Sequence, residues 1–151
     1  MSAAIPPGFE HAELDWDENG QPQSRRYGDV YFSRGSGMAE TTHVFLQPNR
    51  LAERFAALQA GERLVIGETG FGTGLSFLCA WALFERTAPA NSALHFVSVE
   101  KHPLTRDDLQ RALTLWPELQ LQARQLLDQY VAINPGFQQF RFGQVTLTLL
   151  V

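Results

Sequence analysis

The stretch Arg63-Leu-Val-Ile-Gly-Glu68-Thr-Gly70-Phe-Gly72-Thr-Gly74 sets a short apolar run against three alternating glycines. It then hands over to Leu75, Leu78, Ala82 and Leu83 at helical spacing. A strand that turns into a helix through glycines lets backbone come close to a ligand and aims helix N–H groups at it. Downstream, Leu94-His-Phe-Val-Ser-Val99 is a second apolar strand ending at Glu100, and Thr105 with Asp108 forms a capping box for a helix through Leu109, Leu113 and Trp116. Strand, glycine loop, helix, strand, helix opens a doubly wound α/β sheet.

Further along, Pro117 ends or bends that helix, and residues 119–130 carry another helical pattern. Asn134-Pro-Gly136 is a turn, and residues 138–142 pair naturally with 145–151 across Gly143-Gln144. Upstream of Arg63, Leu14 and Trp16 alternate with acids up to Asn19-Gly20, a hairpin-turn dipeptide, and Val30-Tyr-Phe32 is expected as the following strand. Thr41-Thr-His-Val-Phe-Leu46 is a third expected strand. Asn49 is expected to cap a helix with Leu51, Phe55 and Leu58 on one face, ending at Gly61. The expected organisation is thus a β-hairpin and helix extension over residues 1–60, followed by a Rossmann-like sheet over 61–151. A complete sheet of this kind has about five to seven strands. Only the first half is present, so the strand pattern of 145–151, ending without cap or polar tail, is expected to mark a cut in a longer chain.

At 151 residues, with 44% hydrophobic and 19% charged, the chain is long enough for one domain with a core. A net charge of -4 gives no general pull toward nucleic acid. The single cysteine, Cys79, rules out a disulfide scaffold and a Cys-rich zinc module and fits a reducing, cytoplasmic setting. No signal-peptide pattern and no run of 18 apolar residues occurs, so membrane insertion is not expected.

Three ligand classes use glycine loops of this form. A phosphate-binding P-loop fails, because taking Gly67 and Gly72 as its glycines puts Thr73 where the lysine must stand. The dinucleotide fingerprint is weakened but stays open: counted from Gly70 its last glycine is Leu75, and from Gly72 it is Phe77. A loop opened by an acid suits a ligand that carries a cation and no phosphate, and S-adenosylmethionine is one. Its ammonium and sulfonium attract Glu68, and its ribose diol wants a carboxylate at the end of the next strand, where Glu100 stands. The bland alternative is a turn with no ligand and a surface acid.

These residues also resemble a known family. Glu68-Thr-Gly-Phe-Gly-Thr-Gly-Leu75, the upstream Asp29-Val-Tyr-Phe-Ser33 and Glu40-Thr-Thr-His-Val-Phe-Leu46, and the downstream Glu100-Lys-His-Pro-Leu-Thr-Arg106 look like the methyltransferase half of the MnmC family. The likeness covers most of the chain in the same order. It implies a class I methyltransferase fold and transfer of a methyl group from S-adenosylmethionine to the aminomethyl group of a wobble uridine, with the tRNA anticodon region as partner. It also implies Glu68, Gly70, Gly72, Gly74 and Glu100 as cofactor-binding positions, with Thr69 and Lys101 beside them. The family's flavin-dependent half, which would hold FAD, has no counterpart here, and neither has the Gly-Asp loop at the methyl-transfer site. No catalytic residue is assigned.

Other signals are set aside. Asp15-x-Asp17-x-Asn19-Gly20 opens like a calcium loop, but Arg26 stands where the bidentate glutamate belongs and Pro22 interrupts it. His11, His43, His95 and His102 share no metal-ligand spacing, and Cys79 sits among apolar helix residues, so no metal is expected. Tyr31 and Phe32 are candidates for lining the cofactor or nucleotide pocket, with a core role as the alternative. Arg25, Arg26 and Arg34 are candidates for phosphate contact, with a solvated face as the favoured alternative.

Overall fold

A computed structural model of the protein describes residues 8–32 and 37–151. The N-terminal part begins with a two-stranded antiparallel ribbon, β1 (Leu14–Trp16) and β2 (Pro22–Ser24). Its turn is held by Asp17, whose Oδ1 accepts from the N–H groups of Asn19 at 2.8 Å and Gln21 at 2.9 Å, with Gly20 at φ +76°. The expected strand at 30–32 reduces to one bridge between Gln23 and Val30. The reason is the turn at residues 24–29, where the Ser24 and Asp29 backbones bond at 2.8 Å. Phe32 is then free to bury its ring edge-on to Trp116, 5.0 Å away.

The expected strand at 41–46 is helical. It comprises the end of α1 (Gly37–Thr41) and a π-helical turn over Thr42–Leu46. The threonines that favour β structure here turn their hydroxyls onto carbonyls four residues back, Thr41 onto Gly37 and Thr42 onto Met38, both at 2.9 Å. The turn buries Leu46 and brings Phe45 to 6.3 Å from Phe96, so tertiary packing overrides local propensity. Asn49 does not cap α2 (Leu51–Ala56); its side-chain amide donates back to the Phe45 carbonyl at 2.8 Å, and Arg50, at φ +52°, occupies the cap position. The helix buries Leu51 and Phe55 and ends before Gly61.

The remainder alternates strand and helix: β3 (Arg63–Thr69), α3 (Leu75–Thr87), β4 (Ala93–Val99), α4 (Arg106–Leu113), a 3-10 turn (Pro117–Leu119), α5 (Gln120–Gln129), β5 (Phe137–Phe142) and β6 (Val145–Leu150). Thr105 caps α4 by accepting from the Asp108 N–H at 3.2 Å. Trp116 lies beyond that helix, outside the helical region at φ −121° as the residue before a proline tends to be. The four strands stand in the order β3-β4-β6-β5, the first three parallel and the last antiparallel.

Both crossovers, β3 to β4 and β4 to β6, step the same way across the sheet. Right-handed connections therefore stack the helices on one face. Ile66, Leu94, Phe96, Val145, Leu147, Leu149, Phe140 and Phe142 are buried on that face. An aromatic cluster forms its centre: Phe77 on α3 lies 5.2 Å from Phe96, 5.6 Å from Trp81 and 6.2 Å from Phe142, and Trp81 stacks on Phe142 at 4.6 Å. Leu14, Phe32, Leu46, Leu51 and Phe55 join the same core, so residues on both sides of position 60 share it. Val65, Val99 and Phe137 are exposed on the opposite face. No helix among the described residues is long and apolar enough to cross a membrane.

Candidate functional site

Strand register places the site. Glu68 pairs with Ser98 and Thr69 with Val99, so the glycine loop after β3 and the segment after β4 leave the sheet side by side. Two backbone bonds fix them: Gly70 N–H to the Val99 carbonyl at 2.7 Å, and Glu100 N–H to the Leu150 carbonyl at 2.8 Å. Gly72 and Gly74 both adopt positive φ, at +56° and +75°. A Cβ at Gly74 would sit 2.9 Å from the tip of the Phe71 ring, and one at Gly72 would sit 3.2 Å from the Tyr31 ring. Conformation and space both require glycine at these two positions. A Cβ at Gly70 would meet nothing within 4 Å, so bare backbone faces open space.

Glu100 fastens the loop. Its Oε1 accepts from the Gly72 N–H at 2.7 Å and its Oε2 from the His102 N–H at 3.1 Å. Each oxygen keeps a second lone pair for another donor. Glu100 therefore borders two cavities with Val30 and Tyr31. One, of about 400 Å³, lies over the glycine loop and is closed from above by α1 and the π-helical turn through Glu40, Thr41, Val44 and Phe45. The other, of about 270 Å³, lies between the N-terminal ribbon and the segment after β4.

Of the residues singled out in the sequence, Gly70, Gly72 and Glu100 line the larger cavity, and Gly74 starts α3 beneath it. Glu68 lines neither cavity; it points to the helix-covered side, where the Ser98 hydroxyl donates to it at 3.1 Å. Thr69 and Lys101 are exposed and line neither. Tyr31 borders both cavities, and Phe32 borders the larger one from the core. Burial, with the Glu100 and Asp108 charges, pushes the Tyr31 phenol up to about 12, so it stays neutral. Cys79 is buried on α3, and burial pushes its thiol up to about 11. Arg25 is held by Asp15 at 2.9 Å and Arg26 by Glu10 at 2.9 Å, while Arg34 lies outside the described residues. Sequence reasoning missed His102 and the walls from residues 37–46. A β pattern assigns no inward face to a segment that folds as a helix, and a backbone N–H leaves no residue-type signal.

Burial pushes the Glu68 carboxyl up to about 7, opposed by the Ser98 hydrogen bond and assisted by the Glu100 charge. Between its ordinary value near 4.5 and about 7, the folded chain holds a proton that the unfolded chain has released. Glu68 therefore lowers stability as pH rises through that window, and the loss is complete above it. In Glu68→Gln the contribution vanishes. Thermal melts are expected to show the variant equal to the parent at the acid end and more stable by about 1–3 kcal/mol above neutrality. A parent and variant that melt in parallel across the window would contradict this.

Sheet order, glycine loop and strand-end carboxylate together define a Rossmann-like α/β fold with a ligand cleft at the strand ends. No family model matches the chain. A crystal structure of MNMC2 from Aquifex aeolicus superposes with a TM-score of 0.59, covering 93% of this chain and 42% of that one at 18% identity, a likeness of fold. Along nearly its whole length the chain is similar to the MnmC proteins. It is 73% identical over 145 residues to the tRNA 5-methylaminomethyl-2-thiouridine biosynthesis bifunctional protein MnmC of Stutzerimonas stutzeri, 68% to that of Pseudomonas aeruginosa strain PAO1 and 64% over 147 residues to that of Pseudomonas fluorescens. These matches take in 95–96% of the chain, which spans about a fifth, 22%, of the length of each of these curated relatives.

Proposed function

We propose that this chain binds S-adenosylmethionine over the glycine loop and presents its methyl group to the aminomethyl nitrogen of a wobble uridine in tRNA, in the cytoplasm, as part of an MnmC-type protein. The observation that carries the reading is the Glu100 carboxylate, fastened to the Gly72 and His102 N–H groups at the head of β4 with lone pairs to spare. It stands beside glycine backbone that is bare at Gly70. A ribose diol offers the two donors such a carboxylate lacks, and the approach of a ligand to bare backbone needs no side chain moved. The residues present thus fit the donor.

The donor supplies a methyl group on sulfonium, which the amine takes with its lone pair while sulfur keeps the bonding electrons and the positive charge passes to nitrogen. Before attack the amine's ammonium must release a proton, and the open cavities let it leave to water. The chain's own share is positioning: Glu100 holds the loop and the ribose, Gly72 and Gly70 admit close approach, and Tyr31 and Phe45 wall the cleft. Glu68, below the loop, adds negative potential under a cationic ligand once it ionises. The reading is tested with labelled S-adenosylmethionine and the full chain: methyl incorporation is expected into tRNA bearing 5-aminomethyl-2-thiouridine and not into the unmodified tRNA. Equal labelling of both, or labelling of a small amine alone, would overturn it.

A further inference from the structure

We propose that the smaller cavity, between the N-terminal ribbon and the segment after β4, is an acceptor pocket that takes a flipped-out pyrimidine carrying a cationic amine. The inference rests on the methyl-transfer reading above and adds where the acceptor sits. A transferase that joins two substrates directly needs two adjoining cavities that share a wall. Here the 400 Å³ cleft over the glycine loop and the 270 Å³ cavity meet along Val30, Tyr31 and Glu100.

The walls select a planar, positively charged ligand. Tyr27 and Val30 border the cavity and are 58% and 60% exposed, and Tyr31 lines it beside them. The exposed Tyr27 ring, 6.3 Å from that of His102, offers a stacking face for a base removed from its helix. The charge is acidic. The one arginine present, Arg26, is neutralised by Glu10 at 2.9 Å and engages His102 at 3.0 Å. The Asp29 carboxylate borders the same space with no side-chain partner among the described residues, although its backbone carbonyl is tied to the Ser24 N–H at 2.8 Å. A carboxylate held on a fixed backbone next to two tyrosines suits a primary ammonium on a short arm from an aromatic ring.

Two exposed residues make the test clean. The full chain is assayed with an anticodon stem-loop RNA bearing 5-aminomethyl-2-thiouridine, and donor affinity is measured separately by calorimetry. Tyr27→Ala is expected to raise the KM for the RNA by about tenfold and leave donor affinity within about twofold. In direct binding, the parent is expected to prefer the aminated RNA over the same RNA with plain uridine, and Asp29→Asn to erase that preference. Melting temperatures matching the parent show that the fold is kept. Loss of donor affinity with unchanged RNA constants would assign the cavity to the donor's base instead and overturn the proposal, as would constants that do not move at all. A parent that prefers the aminated RNA yet transfers no methyl would instead defeat the methyl-transfer reading while leaving the pocket standing.

Discussion

Replacing Glu100 by alanine is expected to weaken S-adenosylmethionine binding by about 100-fold. The carboxylate does two things at once. It accepts from the Gly72 and His102 N–H groups at 2.7 and 3.1 Å, which sets the loop against the head of β4, and its remaining lone pairs meet the ribose diol in the proposed complex. Hydrogen bonds to a charged group are each worth about 1.5–3 kcal/mol, so losing the ribose contacts and loosening the loop together exceed a factor of ten. Stability is expected to fall much less, because the carboxylate is part-exposed and water can solvate both freed N–H groups. Glu100→Gln separates the roles. Its amide oxygen still accepts from one N–H, while its NH2 opposes the other and accepts nothing from ribose. Calorimetric titration with S-adenosylhomocysteine is expected to rank parent, Gln and Ala in that order. An alanine variant that binds like the parent would remove Glu100 from the site.

Phe77→Ala is expected to destabilise the fold by about 3–5 kcal/mol, read by urea unfolding. The ring is fully buried and sits among Phe71, Trp81, Phe96 and Phe142, so truncation opens a cavity where sheet, α3 and glycine loop converge. The loop is drawn in because Phe71 lies 6.3 Å from Phe77 and covers the Cα of Gly74. Weaker donor binding is therefore expected alongside the lost stability. Leu121→Ala, on an exposed face of α5, is the control and is expected to change stability by less than about 0.5 kcal/mol. Equal effects at the two positions would contradict the packing account.

What was legible in the sequence is the part whose pattern and packing agree. The run Leu64-Val-Ile66 and the run Phe96-Val-Ser98 read as strands because alternate residues, Ile66, Phe96 and Ser98, turn to the buried face under the helices, and the glycines between β3 and α3 could not be anything but a turn of positive φ. Glu100 was legible for the same reason: a carboxylate directly after a buried strand has a fixed place at the head of the sheet. The N-terminal third was less so. Thr41, Thr42, Val44 and Phe45 carry β-forming side chains, yet the threonine hydroxyls bond to helical carbonyls and Phe45 is recruited by Phe96, a residue 51 positions away. No local pattern contains that contact. Asn49 likewise had the composition of a cap, and its amide found the Phe45 carbonyl instead. The cleft's upper wall and the smaller cavity follow from those long-range contacts, so neither was visible until the chain was folded.

The charge of -4 also takes on a local meaning. Acidic side chains pair off the ribbon arginines, Asp15 with Arg25 and Glu10 with Arg26, and leave Asp29 and Glu100 at the cavities. Negative charge gathered there favours a cationic donor and a cationic acceptor and leaves phosphate gripping to other surfaces.

The central claim is that the glycine loop and Glu100 hold S-adenosylmethionine. Calorimetric titration of the full chain with S-adenosylmethionine, repeated in the presence of a nicotinamide dinucleotide, tests it most directly. A single saturable site is predicted, unaffected by the dinucleotide and weakened about 100-fold in Glu100→Ala. No binding of S-adenosylmethionine, or its displacement by the dinucleotide, would contradict the account.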